Sequence, residues 1–146
     1  MILLQDKCKV LKNSDIKSLK SIVLKTLESQ NKSDSDVSVI IDTDETLRKL
    51  NLMYAGNDHA TDVLSFSAGF IDPDSGKDYL GDIVISYDRA QEQADENHIN
   101  IFAELQTLIV HGTLHLCGFD HADKVSEKKM FELQDKIIND FAGKPS

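Results

Sequence analysis

Apolar and polar positions alternate along this chain in blocks, and the period changes from block to block. Residues 2–11 alternate loosely, as a strand does. Over 15–30, Ile16, Leu19, Val23 and Leu27 fall on one helical face, with Ser14 placed to cap it. The polar run from Asn31 to Asp36 reads as a turn, and the β-branched run from Val37 to Ile41 as a buried strand. Thr43 then caps a second helix. Asp44 and Glu45 occupy its first turn, where the helix dipole favours acids, and Leu47, Leu50 and Tyr54 make its apolar stripe.

Asn57 to Ala60 reads as a loop and Asp62 to Phe66 as a strand. Residues 69–78, with Gly69, Pro73 and Gly76, form a turn, and Leu80 to Ile85 a second strand paired with the first as a hairpin. From residue 87 the period is helical. Tyr87 to His98 is a polar helix with Ala90 and Ala94 inward, and Ile101 to Leu116 is apolar enough to be the central buried helix. Residues 123–141 form a last amphipathic helix with Val125, Met130, Leu133 and Ile137 on its inner face. The order βαβα, then ββ, then three helices predicts a single α/β (α+β) domain over residues 1–146. It would hold a mixed sheet of about four strands packed with about five helices.

Composition adds bounds. The chain has 146 residues, 40% of them hydrophobic, enough for one real core. No apolar run has the length of a signal peptide or a membrane span. Cys8 and Cys117 lie far apart and form no CxxC pair, which fits free thiols in a reducing, cytoplasmic setting. The net charge of −9 argues against a nucleic-acid partner at first sight. The charge is uneven, however: lysines outnumber Asp6, Asp15 and Glu28 over residues 1–32, and acids dominate 33–104. That leaves room for a basic N-terminal face that includes Lys17, Lys20 and Lys25.

The chemistry concentrates between residues 111 and 121, where three of the five histidines fall. His111 and His115 are one turn apart on the central helix, so both imidazoles can reach one ion. Gly118 can end the helix in a left-handed conformation, and the returning chain can bring His121 to the same ion. Three neutral nitrogens leave one tetrahedral position open, the arrangement of a catalytic rather than a structural zinc, although nickel, copper or iron would also suit. Cys117 follows His115 by two residues and should face elsewhere. Asp120 is either an orienting partner for a ligand or an ordinary turn residue, His98 a helix-end residue, and His59 part of a loop.

The spacing HxxxHxxGxxH is similar to the metzincin pattern HExxHxxGxxH, so the helix resembles a zincin metal helix. Gly112 stands where those proteases carry their general-base glutamate, which weakens a peptidase reading.

A second resemblance is closer. The run from His111 through His115, Gly118 and Phe119 to Asp120 and His121 resembles the signature of the YbeY family, bacterial endoribonucleases of ribosomal RNA maturation. Leu50, Asn51 and Tyr54, followed by Thr61 to Phe66, resemble its LNxxYR…PTDVLSF block, and Leu80 to Ser86 its LGDIxIS strand. Glu104, Leu105 and Met130 also fit, so the resemblance spans about residues 45–135. It implies a zinc-dependent, single-strand-selective endoribonuclease that trims the 3′ end of the small-subunit rRNA and serves ribosome quality control. His111, His115 and His121 would be its metal ligands. RNA and the ribosome or its small subunit would be its partners, with no membrane involved. The catalytic residues beyond the ligands stay unassigned. Two positions depart from the pattern: Ala55 replaces an arginine suited to phosphate, and Ala60 replaces a proline. The basic residues 7–32 are then the expected RNA contacts. The alternatives are a hydrolase of another class, peptidase-like, and a non-catalytic ribosome-associated binding factor. Asp62, Ser65 and Asp82 read as structural residues of turns and strand ends.

Overall fold

The periods resolve into the expected order of elements. The computed structural model describes residues 1–56, 61–119 and 123–142. Along them run β1 (Ile2–Asp6), α1 (Asn13–Ser29), β2 (Asp36–Asp42), α2 (Asp44–Ala55), β3 (Val63–Ile71), β4 (Asp78–Ser86), α3 (Tyr87–Glu96), α4 (Ile101–Leu116) and α5 (Lys124–Ala142). The strands make one mixed sheet in the order β1-β2-β4-β3. β1 and β2 run parallel, as do β2 and β4, while β3 returns antiparallel to β4. β2 is paired on both edges, which accounts for its nearly continuous β-branched run.

One face of the sheet carries the main core. Val37, Val39, Ile41, Ile83 and Ile85 meet Leu19, Ile22, Val23 and Leu27 of α1 and the apolar residues of α4. α4 packs against α1, α3, α5, β3 and β4, so it is apolar on almost every side. α2 lies over the opposite face, where Thr46, Leu50 and Tyr54 share a cavity with Ile40, Phe66 and Val84. No helix among the described residues is long and apolar enough to cross a membrane.

Several elements differ from the expectation in instructive ways. α1 is capped at Lys12, not Ser14, because Asp15 reaches back to accept from the Lys12 N–H at 3.2 Å. The hairpin strands run further than their periodicity suggests. Phe70 stacks on its cross-strand partner Tyr79 at 5.2 Å, beyond a bulge between Ser67 and Phe70, so only the segment from Asp72 to Lys77 turns. Tyr54 and Val125 are exposed at 67% and 65%, each next to the terminal residue of its helix. Asn51 is buried on the inner side of α2 instead of Tyr54, which sets its ring edge-on to Phe66.

Candidate metal centre

α4 presents His111 and His115 one turn apart. Their rings meet edge to face, centroids 4.7 Å apart, and the two Nε2 atoms approach to 3.2 Å. Two nitrogen ligands of one tetrahedral zinc, each about 2.0–2.1 Å from the ion, lie ~3.3 Å apart. The pair is therefore spaced as two ligands of a single ion.

The end of α4 follows from its glycine. Gly118 takes φ +107°, its N–H donates to the His115 carbonyl at 3.0 Å, and the Phe119 N–H donates to the Leu114 carbonyl at 3.1 Å. This is the Schellman arrangement, which satisfies the last carbonyls and turns the chain sharply after the second histidine. His121, the third expected ligand, lies outside the described residues, as do Asp120, His59 and Ala60.

The opposite wall is β3, the last strand of the sheet. Its register decides which backbone groups face outward. The Ser86 N–H donates to the Asp62 carbonyl at 2.9 Å, and alternation from that pair directs Leu64 and Phe66 toward β4. Val63, Ser65 and Ser67 therefore turn their backbone groups to the open edge. Between this edge and α4 lies a cleft of about 280 Å³ lined by Val63, Leu64, Ser65, Ser67, His111 and His115. A larger groove of about 630 Å³ runs between α1 and α5, but it brings no pair of imidazoles together.

Gly112 holds the two walls at this distance. A Cβ there would stand 2.7 Å from Ile83 Cγ2 and 3.2 Å from Ser65 Oγ, while the Ser65 hydroxyl donates to the Gly112 carbonyl at 3.2 Å. The position faces the sheet. The glycine that reads as a missing protease base is thus needed for close helix–sheet approach, and a glutamate would have no space there.

Several other candidates do not line this cleft. The thiol of Cys117 packs against the core and is pushed up by burial, so it stays protonated and away from the cleft. His98 closes α3 with φ 55°. Asp62 accepts from Gln93 Nε2 at 3.3 Å, and Asp82 accepts from the Tyr79 hydroxyl, so both are tied into hydrogen bonds. Ala55 is the last residue of α2 and is exposed. Lysines of the N-terminal third border more than one groove. Lys20 lines a groove with Gln5, Ser38 and Asp82, whereas Lys25 lines the separate groove between α1 and α5.

Two residues escaped the sequence. Gln134 Oε1 lies 2.9 Å from His111 Nδ1, and Phe131 tilts its ring 6.0 Å from the same imidazole. The available signal was an amide on the apolar stripe of α5, between Met130 and Ile137. Glu104 sits two turns before His111 on the same side of α4. Burial first, and then the charge of Asp62, pushes its carboxyl above the usual range.

A small α+β domain built around a buried helix, which offers paired imidazoles to an open sheet edge, is the class these observations define. A sequence model of the family described as Endoribonuclease YbeY matches residues 2–142, well beyond the motifs. The chain is 39% identical to an Oenococcus oeni protein named Endoribonuclease YbeY, over 97% of this chain and 95% of that one. A Bacillus pumilus protein of the same name is 42% identical over 75% of this chain and 74% of its own length. The solution structure of a Thermotoga maritima protein superposes with a TM-score of 0.70 at 28% identity, covering 98% of this chain and 90% of that one. The chain belongs to the YbeY family.

Proposed function

We propose that this chain is an endoribonuclease that cleaves single-stranded RNA. Its setting is the cytoplasm, on the ribosome or small ribosomal subunit, in maturation of the small-subunit rRNA 3′ end and in ribosome quality control. His111, His115 and His121 would hold one zinc ion. The observation that carries this reading is the 3.2 Å approach of two imidazole nitrogens at the wall of a cleft. Membership of a family named for endoribonuclease activity supplies the substrate class.

When bound, such an ion supplies a Lewis acid for a phosphoryl oxygen and lowers the pKa of water. The chain's own residues supply the setting. The outward N–H groups of Ser65 and Ser67 are two residues apart, about 6.8 Å along the strand. They suit the oxygens of an extended nucleic-acid backbone, which fix position without reading sequence. Ala55 offers no guanidinium, so phosphate contact would be shared between these neutral donors and the basic residues 7–32, and charge reversal at Lys17, Lys20 and Lys25 should weaken RNA binding. Gly112 argues against the peptidase-like alternative, because a side chain at the position of the protease glutamate would meet Ile83 and Ser65.

The test incubates purified protein with single-stranded RNA and, separately, with an unfolded protein, with and without chelator, beside His115→Ala. The expected result is RNA cleavage abolished by chelator and lost in a variant that retains its circular dichroism spectrum. Cleavage of the unfolded protein, or RNA binding without turnover, would overturn the proposal in favour of a peptidase or a binding factor.

A further inference from the structure

We infer that Gln134 is a positioning residue for this centre: its amide oxygen holds the Nδ1–H of His111 and so reserves the Nε2 lone pair for an ion. The inference rests on the reading of His111 and His115 as metal ligands and deepens it. A neutral imidazole carries one proton, and the partner of one nitrogen decides what the other can do. His111 Nδ1 meets Gln134 Oε1 at 2.9 Å, while its Nε2 faces the Nε2 of His115 at 3.2 Å. An amide oxygen only accepts, so the proton belongs on Nδ1 and the lone pair on the side of the second histidine.

Gln134 stands where the inner face of α5 would take an aliphatic side chain. It is 5% exposed, on the stripe of α5 that otherwise buries Met130 and Ile137. An amide there costs desolvation that an aliphatic side chain would avoid, unless its hydrogen bond serves a purpose. Phe131 lies three residues earlier, hence on the same side of α5, and its ring is inclined 31° to that of His111. One helix therefore supplies the ligands and another fixes the ring that faces it: Gln134 selects the tautomer and Phe131 limits the tilt. Outer partners of this kind orient ligand histidines in zinc proteins and govern their affinity.

The test uses the full chain as wild type, Gln134→Leu and Gln134→Glu. Leucine keeps the approximate volume and removes the acceptor; glutamate restores an acceptor. Zinc affinity is measured by competition with a chromophoric chelator, and the ring tautomer by ¹⁵N spectra of zinc-free protein at a pH where the imidazoles are neutral. The expected result is Nδ1–H at His111 in wild type. Gln134→Leu should bind zinc about 10–100-fold more weakly, with the tautomer shifted toward Nε2–H. Gln134→Glu should return affinity to wild type or better. Wild-type affinity and tautomer in a folded Gln134→Leu would overturn the inference while leaving the metal reading intact. Failure of the wild type to bind zinc would overturn the metal reading and the inference with it. If Gln134→Leu does not fold, the wild-type spectrum decides alone, and Nε2–H at His111 overturns the assignment.

Discussion

Gly81 sits where β4 passes closest to β3. Its φ is +148°, and a Cβ would stand 2.1 Å from the Phe66 carbonyl oxygen and 2.9 Å from Leu116. Backbone cannot retreat as a side-chain tip can, so Gly81→Ala should cost about 2–4 kcal/mol, read from urea unfolding. Glu104 behaves oppositely. Its carboxyl is raised by burial and by Asp62, so the fold favours the protonated form. The ionised form therefore costs stability above the raised pKa, and the cost disappears below the ordinary glutamate value of about 4.3. Glu104→Gln should raise the melting temperature at pH 7, and the gain should shrink as pH falls and vanish below about pH 4. Residues of this kind were the least legible in the sequence. Gly112 is visible there only as an absent carboxylate, since Ile83 and Ser65, which crowd it, are distant in the chain. Gln134 looks like any polar interruption until α5 is laid beside His111.

At the scale of elements, legibility follows from how local the cause is. α4 was readable to the residue, because its apolar run and its glycine stop are written consecutively. The far ends of β3 and β4 were not, because Phe70 and Tyr79 stack across a bulge that no alternation records. The stop of α4 also bears on the site, for it redirects the chain immediately after His115. Among the described residues nothing lies within 4 Å of a Cβ built on Gly118, so Gly118→Ala tests the left-handed backbone conformation. That substitution should cost about 1–2 kcal/mol in thermal unfolding. The N-cap of α2 offers a comparison away from the cleft. Thr43 accepts from the Thr46 N–H at 3.3 Å, and Thr43→Ala should cost about 1 kcal/mol by the same measurement.

For the molecule as a whole, the fold class was legible because the order of periods admits few layered arrangements. The cleft was legible in part: His111 and His115 share a side of α4 as their spacing implies, but the wall opposite them depends on β3 being the last strand of the sheet. Lys20 and Lys25 line different grooves although they lie five residues apart. A ligand held only by the folded state should stabilise all of it. Zinc at about 100 times its dissociation constant should add about 2.7 kcal/mol, or roughly 5–10 °C in melting temperature, and His115→Ala should abolish that shift.

The hydrogen bond between α5 and α4 links two helices of the core. Because Gln134 reaches His111 from the last helix, undocking α5 would release the tautomer of an imidazole over 20 positions earlier. Ion binding and the docked state of the C-terminal helix are then linked, each favouring the other. Amide hydrogens around Gln134 should exchange with solvent more slowly once zinc is added, although they lie on a helix without the ligand histidines. In Gln134→Leu that remote slowing should fade, so the C-terminal helix would report the occupancy of the centre.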